Sequence, residues 1–141
     1  MLRKATAVWS GGLKDGNGKI STDSGVLSDT QYSFSTRFED GIGTNPEELI
    51  AAAHAGCFSM ALSGQLGNAG MTAESINTTA EVRLEKVGGG FAITSVHLTV
   101  RVRIPGADNE AFTIAANNAK AGCPVSKVLN AEITMDAALE D

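Results

Sequence analysis

The sequence predicts an α+β fold: a three-strand start, a long helix, a hairpin, a helix pair and a last strand. Three observations carry this. Stretches of alternating apolar and polar residues occur on both sides of the chain's middle. Between them, Leu49 to Leu62 contains no Asp, Glu, Lys or Arg, which suits a buried helix. Glycine and proline clusters then punctuate the chain where elements should turn.

Ala5, Ala7 and Trp9 share one face of a strand over residues 4–9. Residues 11–18 (GGLKDGNG) read as a turn, and a short strand follows at 19–22. Residues 31–38 alternate, with Tyr32, Phe34, Thr36 and Phe38 on one face and Ser33, Ser35 and Arg37 on the other, which predicts a third strand. The helix start is written in Asn45-Pro46-Glu47-Glu48: an N-cap, a proline at the first helical position and a capping-box glutamate in Glu48. Residues 78–87 and 91–104 form a hairpin around Gly88-Gly89-Gly90, with Val96, Leu98, Val100, Val102 and Ile104 facing one way. Asp108 caps a helix ending near Gly122, Pro124 opens a short second helix, and residues 131–138 form the final strand.

The chain has 141 residues, 43% hydrophobic and 19% charged, which is globular composition. No repeat or linker interrupts it, so residues 1–141 read as a single domain. A net charge of −5 argues against a nucleic-acid partner. No run of about 18 apolar residues is apparent, which argues against a membrane span. The opening MLRKATAVWSGG lacks a signal-peptide core, which predicts a cytoplasmic location. A helix apolar on nearly every side should be covered on nearly every side, and a second copy of the chain is the economical cover.

The two cysteines, Cys57 and Cys123, permit one internal pairing, and in a reducing compartment such a pair is more often redox-active than structural. Cys57 lies in the apolar helix, where burial would keep a thiol inert, so it also reads as a small core residue. Cys123 sits at a helix N-cap, where backbone N–H groups favour a thiolate, although it could be a chance cap. There is no CxxC and no zinc spacing; His54, Cys57 and Cys123 make three ligands at most, so no metal is expected. His54 reads as a hydrogen-bonded core histidine and His97 as a strand surface residue.

The stretch Gly43-Thr44-Asn45-Pro46-Glu47-Glu48-Leu49, continued by Ala52-Ala53-His54-Ala55-Gly56-Cys57-Phe58-Ser59-Met60-Ala61-Leu62, resembles the OsmC (osmotically inducible protein C) family of thiol peroxidases. So do Cys123-Pro124-Val125-Ser126-Lys127-Val128-Leu129 and the opening KATAVWSGGLKDGNGKI. His54-Ala55-Gly56-Cys57 stands where the sister group of organic hydroperoxide resistance (Ohr) proteins usually has Tyr-x-x-Cys, which favours the OsmC branch. The resemblance implies an intertwined homodimer with antiparallel sheets wrapped around long central helices. It implies a peroxidatic Cys57, a resolving Cys123 that forms a disulfide with it, an Arg37 that lowers the Cys57 pKa and orients the peroxide, and a Glu47 that holds Arg37. Taken alone, Arg37 could be an ordinary surface arginine and Glu47 a dipole-stabilised first-turn acid. The resemblance further implies reduction of organic hydroperoxides, and of hydrogen peroxide less well, in defence against oxidative and osmotic stress. It implies no cofactor, since the thiol carries the two-electron chemistry, and a dithiol reductant such as a lipoyl group. A thiol redox sensor, or a non-catalytic dimeric module for an apolar ligand, are the alternatives.

Glu47 and Cys57 are ten residues apart, roughly 15 Å along a straight helix and some 80° around it. One arginine hardly bridges both. Composite sites are therefore expected, with Cys57 and Cys123 from one subunit and Arg37 with Glu47 from the other, the alternative being an Arg37 that reaches across from its own chain.

Overall fold

The computed structural model describes residues 1–140. The elements are β1 (Ala5–Ser10), β2 (Asn17–Thr22), β3 (Thr30–Tyr32), α1 (Phe34–Phe38), α2 (Pro46–Asn68), β4 (Ser75–Val87), β5 (Gly90–Arg103), α3 (Asn109–Gly122), α4 (Pro124–Val128) and β6 (Glu132–Glu140). They group into two compact units, Met1–Leu49 and the chain from Ile50 onward, so α2 begins in the first and runs through the second.

In the first unit, β1, β2 and β3 form an antiparallel meander. Gly18 of β2 lies between the rings of Trp9 and Tyr32, where any Cβ would strike both, and their centroids come within 5.5 Å. The expected strand over 31–38 is corrected here: it stops at Tyr32, and Phe34–Phe38 is a helical turn. The cause is local. The Ser33 hydroxyl accepts from Thr36 N–H at 3.3 Å, and the Thr36 hydroxyl accepts from Ser33 N–H at 2.7 Å. This reciprocal cap satisfies two helix-start donors and outweighs the alternation. Arg37 therefore leaves the last turn of a short helix, not a strand face.

In the second unit, β4 and β5 form the long hairpin, with a bulge between Arg83 and Leu84. Val96, Leu98, Val100 and Val102 of β5 are fully buried, joined by Phe112, Ala115, Ala116 and Ala119 of α3. β6 lies on the far side of β5 and runs parallel to it. The sheets are thus antiparallel in three pairings and parallel in one. A parallel pair needs a long crossover, and α3 with α4 supplies it.

From Ile50 on, α2 turns one stripe, His54, Phe58, Leu62 and Leu66, fully into this core. The opposite face, with Ala52, Ala53, Gly56, Met60 and Gly64, is exposed. The expected burial on nearly every side is therefore corrected for the single chain. The uncharged stretch also continues past Leu62 to the end of α2. By length and composition α2 could cross a membrane, with mean hydropathy 1.3, yet its buried stripe makes it a core helix of this unit.

Candidate active site

The start of α2 is fixed by Asn45, whose Oδ1 accepts from Glu48 N–H at 2.8 Å. Its amide group also donates to Thr36 O at 2.9 Å, tying α1 to the head of α2. Glu48 turns outward to accept from the Thr44 hydroxyl at 2.8 Å. Glu47 is left for Arg37: the guanidinium Nε and Nη2 both lie 2.8 Å from Glu47 Oε1. Glu47 is only 8% exposed, and its Oε2 is buried without a partner. A carboxylate so enclosed needs its counter-charge, so the pair holds Arg37 firmly. Arg37 stacks 5.2 Å from the Phe38 ring centroid. It also lines a cavity of about 300 Å³ with Trp9, Leu13, Tyr32, Phe34 and Phe38. The site therefore joins one cation to an aromatic and aliphatic wall.

In the second unit the sulfurs of Cys57 and Cys123 lie 3.0 Å apart although the residues are 66 positions apart in the chain. Both are free thiols. Burial pushes the Cys57 thiol up and Cys123 adds to this, with Val125 backbone opposing; none of these influences is a cation. Burial alone would push Cys123 up too. The contact with Cys57, the backbone and hydroxyl of Ser126 and the backbone of Val125 together outweigh it and bring the Cys123 pKa below the ordinary thiol value. Cys123 makes no capping hydrogen bond in the strict sense, but the α4 N–H groups are near enough to its sulfur to favour negative charge there.

His54, one turn before Cys57, is fully buried. Its Nε2 meets the Ser126 hydroxyl at 2.7 Å, as a core histidine should, while Nδ1 is buried without a partner. Burial lowers its pKa, so the ring stays neutral. His97 lies on β5 with Nδ1 2.7 Å from the Thr134 hydroxyl. Among the described residues no group of three His, Cys, Asp or Glu could hold a metal ion.

The four residues singled out from the sequence thus form two pairs, Arg37 with Glu47 in the first unit and Cys57 with Cys123 in the second. Sequence reasoning quoted Ser126 only within the family match at Cys123-Pro124 and assigned it no part, although it is the third residue of the helix that Cys123 opens.

The profile of the family described as OsmC-like protein matches residues 39–138. The chain is 57% identical over 138 residues to the Escherichia coli K12 protein named peroxiredoxin OsmC, covering 98% of this chain and 96% of that protein. The crystal structure of the organic hydroperoxide resistance protein OhrB of Bacillus subtilis superposes with TM-score 0.71 at 28% identity, covering 96% of this chain and 98% of that one. An organic hydroperoxide resistance protein from Elizabethkingia anophelis superposes with TM-score 0.75 at 26% identity, covering 99% of each chain. A profile match over most of the residues, and a relative this similar from end to end, place the chain in the OsmC family.

Proposed function

We propose that one domain, residues 1–141, reduces organic hydroperoxides through Cys57 and Cys123. Membership in the OsmC family and 57% identity to a protein named peroxiredoxin make the chain a thiol peroxidase; the residue roles and substrate are the proposal. In the first step the Cys57 thiolate attacks the terminal peroxide oxygen. The O–O bond breaks, its electron pair leaves with the alkoxide, and the proton given up by Cys57 makes the alcohol. Cys57 becomes a sulfenic acid. In the second, Cys123 attacks that sulfur, an S–S bond forms, the S–O bond breaks and water leaves. Two exchanges with an external dithiol, such as a lipoyl group, restore both thiols. The carrying observation is the 3.0 Å sulfur–sulfur contact across 66 residues of chain.

Burial raises the Cys57 pKa, and no cation is among the influences that oppose it, while Arg37 sits at an apolar cavity. A guanidinium beside Cys57 would favour the thiolate and hold the peroxide, with the alkyl group against Trp9, Tyr32 and Phe34. The exposed Ala52, Gly56, Met60 and Gly64 face of α2 suits close approach of a second copy. These observations favour a homodimer with Arg37 and Glu47 supplied across the two-fold. Protection against oxidative and osmotic stress in the cytoplasm is the role this chemistry fits.

The test is consumption of cumene hydroperoxide with excess dithiol. Wild type turns over, Cys57→Ser loses at least a thousandfold, and Cys123→Ser oxidises once and stalls as a sulfenic or higher acid. Turnover by Cys57→Ser at the wild-type rate would overturn the assignment.

A further inference from the structure

The sulfur contact is not alone in joining α2 to the segment that Cys123 opens. His54 Nε2 lies 2.7 Å from the Ser126 hydroxyl across 72 residues of chain, and the steps above use neither residue. The two contacts are in register. His54 precedes Cys57 by three positions on α2, and Ser126 follows Cys123 by three positions at the head of α4. Residues three apart on a helix are surface neighbours. The earlier residue of α2 meets the later residue of α4, so the two segments run antiparallel here and touch twice, one turn apart.

The resolving step is sensitive to where α4 sits. The sulfurs stand 3.0 Å apart; a disulfide needs about 2.0 Å, so closure is a movement of about 1 Å. Cys57 lies near the middle of a 23-residue helix whose His54, Phe58, Leu62 and Leu66 are fully buried, so α2 is the fixed side. The loose side is α4. It has five residues, none of them buried, and Val125 and Leu129 are only partly covered by the core. Cys123 N–H reaches Ala119 O at 2.9 Å, which ties its backbone to α3 and not to α2. Among the described residues, the side-chain hydrogen bond that fastens α4 itself to α2 is the one between His54 and Ser126. That bond is hard to release. His54 has no exposure, and its Nδ1 is already buried without a partner. Breaking the Ser126 contact would leave both ring nitrogens unpaired in the core, which folded chains avoid.

We propose that His54 and Ser126 are positioning residues: their contact pins α4 against α2 and so holds Cys123 within closing distance of oxidised Cys57. This rests on the resolving role proposed for Cys123. In that step the Cys123 thiolate bonds to the Cys57 sulfenic sulfur, the S–O bond breaks, and the leaving hydroxide takes up the proton Cys123 released. No external reactant is needed. Sulfenic acid formation at Cys57 comes earlier and does not depend on the placement of α4.

Three full-length variants are compared with wild type. Ser126→Ala removes the bond and orphans His54. Ser126→Thr keeps the hydroxyl. His54→Leu combined with Ser126→Ala removes both partners and leaves no buried polar group unpaired, so it should melt close to wild type. After one equivalent of cumene hydroperoxide, peroxide loss reads Cys57 oxidation, and acid quench with mass spectrometry reads disulfide closure. Oxidation should keep the wild-type rate in all three. Closure should slow about tenfold in Ser126→Ala and in the double variant, and stay near wild type in Ser126→Thr. Should Ser126→Ala fail to fold, the double variant carries the test. Wild-type closure in the double variant would overturn the proposal, because the bond would then only fill the core; equal slowing of oxidation and closure would overturn it too. A second measurement needs no peroxide: in glutathione buffers, the equilibrium constant for pairing Cys57 with Cys123 should fall about tenfold in the double variant. An unchanged constant would sink the clamp. Failure of wild-type Cys57 to oxidise with peroxide would instead sink the peroxidase assignment, and the glutathione result would still decide the clamp.

Discussion

Phe58 follows Cys57 directly and has no exposure, so it anchors the turn of α2 that presents the thiol. Truncation to alanine removes a fully packed ring and should cost about 3–5 kcal/mol, read as a lower denaturation midpoint at unchanged m-value. His54, four residues earlier on the same stripe, makes a pH prediction. Its native pKa lies below the unfolded value of 6.5, so the unfolded chain binds the proton more readily. The stability contributed by the neutral ring is fully present above pH 6.5 and is lost as pH falls toward the lowered native value. Thermal melts at pH 7.5 and 5.5 should show a larger drop for wild type than for His54→Gln, and equal drops would contradict the assignment. Cys57 and Cys123 were legible from residue type and family pattern. Ser126 was not, because 72 positions separate it from His54 and nothing local marks a hydroxyl that points at a distant ring.

At the scale of the element, α1 shows how a few atoms override a periodicity. Its cap is the Ser33–Thr36 pair, and Ser33→Ala should destabilise the turn by about 1 kcal/mol. That predicts roughly fivefold faster amide exchange at Thr36 and Arg37, and a rise in KM for peroxide as Arg37 loses its setting, with little change in the global melt. The long elements were readable because their signals repeat: four inward residues along β5, an Asp108 cap on α3, and a proline at the first turn of α2 and of α4. A five-residue helix has no room for a period of its own. Tyr32, Phe34, Thr36 and Phe38 happen to alternate, and only the spacing of Ser33 and Thr36 argued for a helix. The parallel pairing of β6 was likewise invisible, since alternation states which side a strand buries and not which way it runs.

For the whole molecule, the exposed small-residue face of α2 is the feature a single chain leaves unexplained. Nothing lies within 4 Å of where a Cβ at Gly56 would stand, so within one chain Gly56→Ala should be tolerated and should raise helix propensity by up to about 1 kcal/mol. Gly56→Leu should instead hold the helices of the proposed dimer apart; sedimentation should then find monomers, and peroxide turnover should fall with it. Mixing Cys57→Ser with Arg37→Ala subunits under exchange tests the composite site. Some activity should return, because one of the two sites in the heterodimer regains all its parts. No recovery despite proven exchange would place all four residues in one chain.

The two sulfurs, 3.0 Å apart, would also tie the proposed catalysis to folding thermodynamics. A bond between them closes a loop of 66 residues, and restricting the unfolded chain to that extent is worth about 4 kcal/mol. By linkage, the same free energy makes the disulfide harder to reduce in the folded chain than in the unfolded one. In the proposed cycle each turnover would pass through a form more heat-resistant than the resting dithiol, and the reductant would work against that gain. Calorimetry of peroxide-treated and dithiol-treated protein should separate the two melts by about 10 °C or more, making the melting temperature a direct gauge of how much of the protein is waiting to be reduced.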